Sequence, residues 1–170
     1  MHTAWVRLNA VVFFGLTVLL GLSVLTALST YLHKGFPDVR KLSVSKFRNF
    51  RESEGTDRLL LNIDLDADLG PAFNWNVKQL FAFVVAEYKT KTNPVNQVIL
   101  WDKVIESADQ AHIVEEDVTI KYSFIDEGAG LRNTSVTLML YWDHMPLTGS
   151  LFMHSVAVDT FEAPGEYKRR

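Results

Sequence analysis

The chain has 170 residues, of which 48% are hydrophobic and 22% charged, so it suits a single domain with a sizeable core and is not generally disordered. Its formal net charge of -3 argues against nucleic acid as a partner, because such binders need basic side chains to neutralise phosphates. The absence of cysteine excludes disulfides, thiolate zinc sites, iron–sulfur clusters and a cysteine nucleophile.

The first predicted element is a transmembrane helix. Residues 8–32 carry no ionisable side chain except the phenol of Tyr31, and about 20 helical residues cross a hydrocarbon core of ~30 Å. Trp5 and Tyr31 would be interfacial anchors, and Gly15, Gly21 and Ser23 are small residues at which another helix could approach, although such residues are ordinary in membrane helices. A cleaved signal peptide is the rival interpretation, but the apolar run is too long for one and favours an uncleaved signal anchor.

The distribution of basic residues and the single N-glycosylation triplet predict opposite orientations of this helix. Basic residues are more numerous after the helix, at Lys34, Arg40, Lys41 and Lys46, than before it, and this excess would place the large domain in the cytosol. The single N-x-S/T triplet, Asn133-Thr134-Ser135, follows a predicted turn at residues 126–130 and would place the same domain in a glycosylating compartment.

The remainder of the chain is predicted to be all-β. Apolar and polar residues alternate with the period of two that is typical of half-buried strands, and turn residues separate the runs. The predicted strands cover residues 41–47, 59–69, 77–88, 97–105, 118–124, 136–142 and 151–158. The run 77–88 is apolar on both faces and would also suit a buried helix. The fold class predicted is an antiparallel β-sandwich of about seven strands, preceded by one N-terminal transmembrane helix.

Three alternating carboxylates, Asp64, Asp66 and Asp68, resemble the opening of a calcium loop. The full loop needs glycine at its sixth position and glutamate at its twelfth, where this chain has Leu69 and Trp75. We therefore interpret the carboxylates as the solvent-facing side of a strand, although their oxygens could still bind a weaker ion. No metal or cofactor site is predicted.

Histidines beside possible catalytic partners do not predict an active site. Asp143 precedes His144 and Ser155 follows His154, but neighbours on a strand point to opposite faces. His112 has no such neighbour, and the acidic run 115–117 is interpreted as a solvated turn. No catalytic residue is predicted.

Asn74 and Asn76 flank Trp75 immediately before the apolar run 77–88. Such amides commonly bond to the backbone in turns, so the segment 73–77 is predicted to lock the entry to a strand, with contact to a partner protein as the alternative.

Several strings of the sequence resemble the signal peptidase complex subunit 3 family. They are residues 73–81 (FNWNVKQLF), 86–88 (AEY), 96–105 (NQVILWDKVI), 121–124 (KYSF), 128–131 (GAGL) and 133–138 (NTSVTL), together with Trp142 and the N-terminal anchor. The similarity covers most of the chain and weakens beyond Met145 and Pro146.

The resemblance implies a non-catalytic, single-pass type II glycoprotein of the endoplasmic reticulum membrane, with glycosylation at Asn133. It would stabilise and position a catalytic serine protease subunit that removes signal peptides, alongside other small membrane subunits and in transient proximity to signal peptides and the translocon. The implied organisation is a cytosolic tail at 1–9, a signal-anchor helix at 10–32, a linker at 33–40 and a lumenal sandwich at 41–170.

Trp75, Asn76, Trp101 and Asp102 are the residues expected to order this domain or to form its interface with a partner. Two other functions stay open at this point. One is a membrane-anchored sandwich that binds a ligand or receptor outside the cell, and the other is an enzyme.

Overall fold

The structure, a computed structural model, describes residues 3–33 and 35–168. Within them one long helix, α1 (Ala4–Ser29), continues as a single 3-10 turn at Thr30–Leu32. Eight strands follow: β1 (Asp38–Ser53), β2 (Thr56–Asp68), β3 (Val77–Tyr88), β4 (Asn96–Ile105), β5 (His112–Thr119), β6 (Phe124–Asp126), β7 (Ser135–Pro146) and β8 (Phe152–Glu162). The predicted fold class is confirmed, with eight strands where about seven were expected, and residues 77–88 are a strand.

The boundaries in the structure differ from the predicted organisation at the start of the anchor and at the start of the sandwich, whereas the helical segment ends at Leu32. Helix α1 begins at Ala4, within the predicted tail 1–9, and β1 begins at Asp38, within the predicted linker 33–40. Residues 1–2 of the tail, Lys34 of the linker and residues 169–170 of the predicted sandwich lie outside the described residues.

Two antiparallel sheets form the sandwich. In the first, β2 pairs with β1 on one side and with β5 and then β6 on the other. In the second, the order is β4-β3-β7-β8.

The core lies between the sheets because alternate residues of their central strands are apolar. These fully buried residues include Leu59, Leu61, Ile63 and Leu65 on β2, Leu80, Ala82 and Val84 on β3, and Val136, Leu138 and Leu140 on β7. Burying one leucine or isoleucine side chain completely contributes about 1.5–3 kcal/mol. Alternation therefore both fixes the register of the strands and supplies the driving force for packing.

The sandwich has one end beside the helix and one end remote from it. At the helix-proximal end, which comprises loops 69–76 and 147–151, His33 Nε2 lies 3.0 Å from the carbonyl oxygen of Pro71. Strands of about 12 residues at ~3.3 Å per residue place the other end roughly 40 Å away. This distal end comprises loops 54–55, 89–95 and 127–134.

The predicted strand at 118–124 is wrong in its middle. Residues 120–123 lie between β5 and β6 and belong to neither strand. The amide of Ile120 still donates to the carbonyl of Leu61 on β2 at 3.2 Å, but that of Tyr122 donates to the carbonyl of Leu100 on β4 at 3.1 Å. Lys121 Nζ also donates to the carbonyl of Asp102, at 2.6 Å. The alternating pattern continues through this segment, but the contact with the opposite sheet breaks the strand.

The predicted turn at 115–117 is also wrong, because these residues belong to β5. Ile63 pairs with Val118 and Leu65 pairs with Glu115, so β5 has one extra residue, with two of its residues opposite Asp64. Asp117 takes a positive φ of 49° in this bulge. Such a bulge places acidic residues at a local bend without ending the strand.

Candidate interface at the helix-proximal end

The turn that leads into β3 is built by Asn74. Its side-chain Oδ1 accepts the backbone N–H of Asn76 at 2.9 Å, and its carbonyl accepts the N–H of Val77 at 3.1 Å. This is the backbone bonding that the two asparagines predict, and it fixes the direction of the following side chains.

Asn76 holds the loop between β7 and β8. Its Nδ2 donates to the carbonyl of Thr148 at 2.7 Å, its Oδ1 accepts the N–H of Thr148 at 3.2 Å, and its carbonyl accepts the N–H of Leu147 at 2.7 Å. The residue is only 3% exposed. Because a buried amide must satisfy both its donor and its acceptor, these bonds couple the β3 turn to the loop 147–151.

Trp75 faces the helix. Its Nε1 donates to Ser29 Oγ at 2.9 Å, and its ring meets His33 edge-on with centroids 6.0 Å apart. A second aromatic contact joins Tyr31 to Phe152, with centroids 5.8 Å apart. Trp75 is nevertheless 59% exposed, so much of the indole remains free to contact another molecule.

The loop 147–151 also contacts the helix directly. The hydroxyls of Thr148 and Ser23 share a hydrogen bond. A Cβ atom added at Gly149 would lie 3.2 Å from Cβ of Ala27, so the loop backbone runs close against α1. Ser23 is one of the small residues at which the sequence suggested that another helix could approach. In the structure it contacts a loop of its own chain instead.

A cleft of about 560 Å³ lies between the end of α1 and the sandwich. His144, His154 and Trp142 line part of it, together with Tyr31 and Phe152. Burial lowers the pKa of His144, although its contact with the carbonyl of Phe152 at 3.1 Å opposes the shift. Among the described residues, the lining of the cleft includes no Asp, Glu, Lys or Arg side chain.

His144 and His154, two of the three histidines that line the cleft, do not form a catalytic arrangement with their sequence neighbours. His144 and His154 meet edge-on, with ring centroids 5.3 Å apart, and the ring of His154 stacks on Trp142. Strand alternation turns the neighbouring Asp143 and Ser155 to the other face of the sheet.

Trp101 and Asp102 lie on β4, in the middle of an edge strand, and not with Trp75 and Asn76. Trp101 is 4% exposed and belongs to the core. Lys121 Nζ lies 3.4 Å from Asp102 Oδ1 and 5.8 Å from the centre of the Trp101 ring. The pair therefore attaches the segment 120–123 to β4.

Asn133 lies at the distal end, in the turn before β7. It is exposed and has a positive φ of 53°, a conformation that asparagine tolerates better than most residues. Thr134 Oγ1 donates to the carbonyl of Gly130 at 2.7 Å, which fixes the turn.

The three alternating carboxylates are engaged by neighbouring groups of the chain. Asp64 pairs with Lys41 at 2.7 Å, Asp66 lies 3.4 Å from His112 Nε2, and Asp68 accepts the N–H of Gly70 at 2.9 Å. In residues 3–33 and 35–168 no group of three or more His, Asp or Glu side chains is placed to hold a metal ion.

Sequence reasoning missed Thr148 and its loop. The signal that could have found them is the run from 145 to 153, which contains no ionisable side chain although it joins two strands. Connections between strands are normally polar, so an uncharged one indicates contact with something other than water.

Together these features define a class of protein, in which a β-sandwich packs against one apolar helix. Within the described residues, this helix is the one that is long and apolar enough to cross a membrane. A family model described as signal peptidase subunit matches residues 1–166. The chain belongs to this signal peptidase subunit family, which confirms the resemblance seen in its sequence.

Relatives named signal peptidase complex subunit 3 match nearly the whole chain. The protein of Dictyostelium discoideum is 36% identical, over 99% of this chain and 98% of its own length. That of Caenorhabditis elegans is 40% identical, over 89% and 87%, and that of Homo sapiens is 36% identical, over 98% and 100%.

Proposed function

We propose that this chain is a non-catalytic accessory subunit of the signal peptidase complex in the endoplasmic reticulum membrane. The observation that carries the proposal is the family match over residues 1–166, which includes both the apolar helix and the sandwich. The partners would be the catalytic serine protease subunit and the other small membrane subunits.

The proposed topology is single-pass type II, with a short cytosolic tail, the anchor helix and a lumenal sandwich. The feature that supports this orientation is Asn133, which is exposed at the distal end, where a glycan would meet neither the helix nor the bilayer. The short connection at 33–37 keeps the sandwich close to the anchor in either orientation.

The proposed role is to stabilise the protease subunit and to hold it at a fixed height above the membrane. Contacts between the sandwich and α1 support this role, because a domain held by Trp75, Asn76 and Thr148 cannot swing freely on its linker. Height matters for this activity, since the position of an active site above the bilayer decides which bond of a membrane-bound substrate it reaches.

Among the four interface candidates, burial separates two roles. Asn76 and Trp101 are almost fully buried, so we assign them to ordering the domain. Trp75 has the exposed aromatic surface that is typical of contact residues, and we assign it to the partner interface. Asp102 would support Trp101 through Lys121.

The proposal is tested by purifying the tagged chain from its own membranes in mild detergent, identifying the proteins that co-purify and assaying preprotein cleavage. We expect recovery with a small membrane serine protease and with cleavage activity. Trp75→Ala should reduce recovery of the protease, whereas Ile99→Ala, at an exposed apolar residue on β4, should not. Recovery without a protease would reject the proposal and favour the ligand-binding sandwich.

Glycosylation and orientation have a separate test. Endoglycosidase treatment of the chain from its own membranes should increase its mobility in gels, and Asn133→Gln should abolish that change. An unmodified wild-type chain would contradict the assignment of Asn133, and protease protection of the sandwich in sealed microsomes would then report its orientation independently.

A further inference from the structure

The tip of the β7–β8 hairpin, residues 147–151, lies alongside the membrane-spanning segment and below its end. Thr148 bonds to Ser23, and Ser23 precedes Leu32, the last residue of the helical segment, by nine positions. At 1.5 Å per helical residue, the contact is about 13 Å from the end of the span. A helix of 29 residues is about 44 Å long and exceeds a hydrocarbon core of ~30 Å by about 7 Å at each end. A centred span therefore places the contact about 7 Å inside the hydrocarbon.

The composition of the hairpin suits that depth. Residues 145–153 contain no ionisable side chain. Leu147 is 69% exposed and Leu151 is 64% exposed, so both leucines point away from the sandwich. A soluble hairpin would normally carry polar residues here, because exposed leucine at a turn has no apolar surface to cover.

Four polar groups of the tip, at Leu147 and Thr148, are satisfied within the chain, which lowers the cost of placing them in hydrocarbon. Asn76 accepts hydrogen bonds from the N–H groups of Leu147 and Thr148 and donates one to the carbonyl of Thr148. The hydroxyl of Ser23 shares a hydrogen bond with that of Thr148. Gly149, with φ of 104°, closes the turn in a conformation that is strained for other residues.

We propose that this hairpin tip is inserted into the bilayer leaflet nearest the sandwich, with Leu147 and Leu151 among the lipid acyl chains. The partner is lipid, because the tip continues the apolar surface of a helix that itself faces lipid and carries no charge with which to select a protein. The insertion goes beyond the proposed function and holds whether or not the chain joins signal peptidase. It gives the sandwich a second point of attachment to the membrane.

The absence of native cysteine allows a direct test with single labels. The full chain is reconstituted in phosphatidylcholine vesicles after Leu147→Cys or Leu151→Cys and labelling with an environment-sensitive fluorophore. The matched control is Val95→Cys, at an apolar residue that is 62% exposed in the distal loop 89–95. Far-ultraviolet circular dichroism checks that each variant is folded.

We expect labels at 147 and 151 to emit at shorter wavelength than the label at 95, to resist quenching by iodide several-fold better, and to be quenched by spin-labelled lipid. The label at 95 should show the reverse. Equal iodide access at all three positions would overturn the proposal, since the tip would then lie in water. Protection from both iodide and lipid quencher would also overturn it, since protein would then cover the tip.

Discussion

Each end of the sandwich has a loop whose backbone is held by a buried polar side chain, but the two side chains differ in charge. At the helix-proximal end the neutral amide of Asn76 holds the loop 147–151. At the distal end the carboxylate of Asp57, which is 0% exposed, accepts the N–H of Leu131 at 3.0 Å and the hydroxyl of Tyr167 at 2.8 Å.

A second carboxylate strengthens the distal end. Asp126 accepts the hydroxyl of Tyr88 at 2.7 Å and the N–H of Gly130 at 2.8 Å. Hydrogen bonds to a charged group are roughly twice as strong as neutral ones, but an ion is costly to bring near hydrocarbon. The comparison teaches that carboxylates anchor the distal loop 127–134, whereas the loop 147–151, which contacts the apolar helix, is held by neutral groups. Asp68 anchors Gly70 in the other helix-proximal loop, 69–76, so the contrast belongs to the loop beside the helix.

The largest effect that would test this comparison is expected from Asp57→Ala. The change leaves the Leu131 N–H and the Tyr167 hydroxyl without their charged acceptor, so the free energy of unfolding should fall by about 3 kcal/mol. Urea unfolding of the full chain in detergent, followed by tryptophan fluorescence, measures it. Glu106→Ala, at an exposed carboxylate, should change it by less than about 0.5 kcal/mol, and equal effects would contradict a role for Asp57.

Asn76→Ala should have a smaller effect, about 2 kcal/mol, because the bonds it removes are between neutral groups. The amide of Thr148 should also exchange its hydrogen faster, while that of Leu131 at the distal end stays unchanged. Gln110→Ala, at an exposed amide, is the control. Faster exchange at both ends would show that Asn76 stabilises the whole domain and not one loop.

Trp75→Phe should weaken the junction between helix and sandwich by about 1 kcal/mol, because it removes one hydrogen bond and keeps an aromatic ring. Spin labels at Leu32→Cys and Val95→Cys should report a broader distribution of distances. Ser29→Ala should have the same effect, and the double variant should add nothing further. Additive effects of the two changes would exclude this bond.

The smallest expected effect is a difference in pH dependence between the two ends. Burial, followed by the bond to Asp57, raises the pKa of Tyr167 to about 12. Burial, followed by the hydrogen bond to Asp126, also raises the pKa of Tyr88. The raised pKa means that these neutral phenols stabilise the fold below about pH 10, the ordinary pKa of tyrosine, and that the contribution is lost as pH rises through the folded values.

The stability difference between wild type and Tyr167→Phe should therefore shrink from pH 9 to pH 12, as measured by urea midpoints. The difference between wild type and Asn76→Ala should stay constant over the same range, because an amide does not titrate. A constant difference for both variants would show that Tyr167 does not bond to Asp57 in solution.

Local patterns in the sequence predicted the parts of this fold that depend on local physics. Alternation on β2 predicted a half-buried strand because side chains repeat every two residues, and β2 is confirmed as Thr56–Asp68. The asparagines around Trp75 predicted a turn because their side chains reach only nearby backbone. Both inferences used residues close together in the chain.

Inferences that needed a distant partner failed or could not be made. The break at 120–123 depends on the carbonyl of Leu100, and the bulge at Asp117 depends on Ser45 and Asn62, to which its carboxylate bonds. Residue type alone also did not separate Trp75, which is exposed, from Trp101, which is in the core. The coupling of Asn76 to Thr148 spans 72 positions, and a single sequence does not reveal such pairs.

The contacts between α1 and the sandwich have a consequence for assembly. Association of two free proteins costs an estimated 4–15 kcal/mol in lost translation and rotation. A domain already confined to the membrane plane, and prevented from tumbling by the bonds of Trp75 and Thr148 to the helix, has given up much of that freedom before it meets a partner. A small contact area on such a preoriented domain can therefore support an association that the same area could not support in solution.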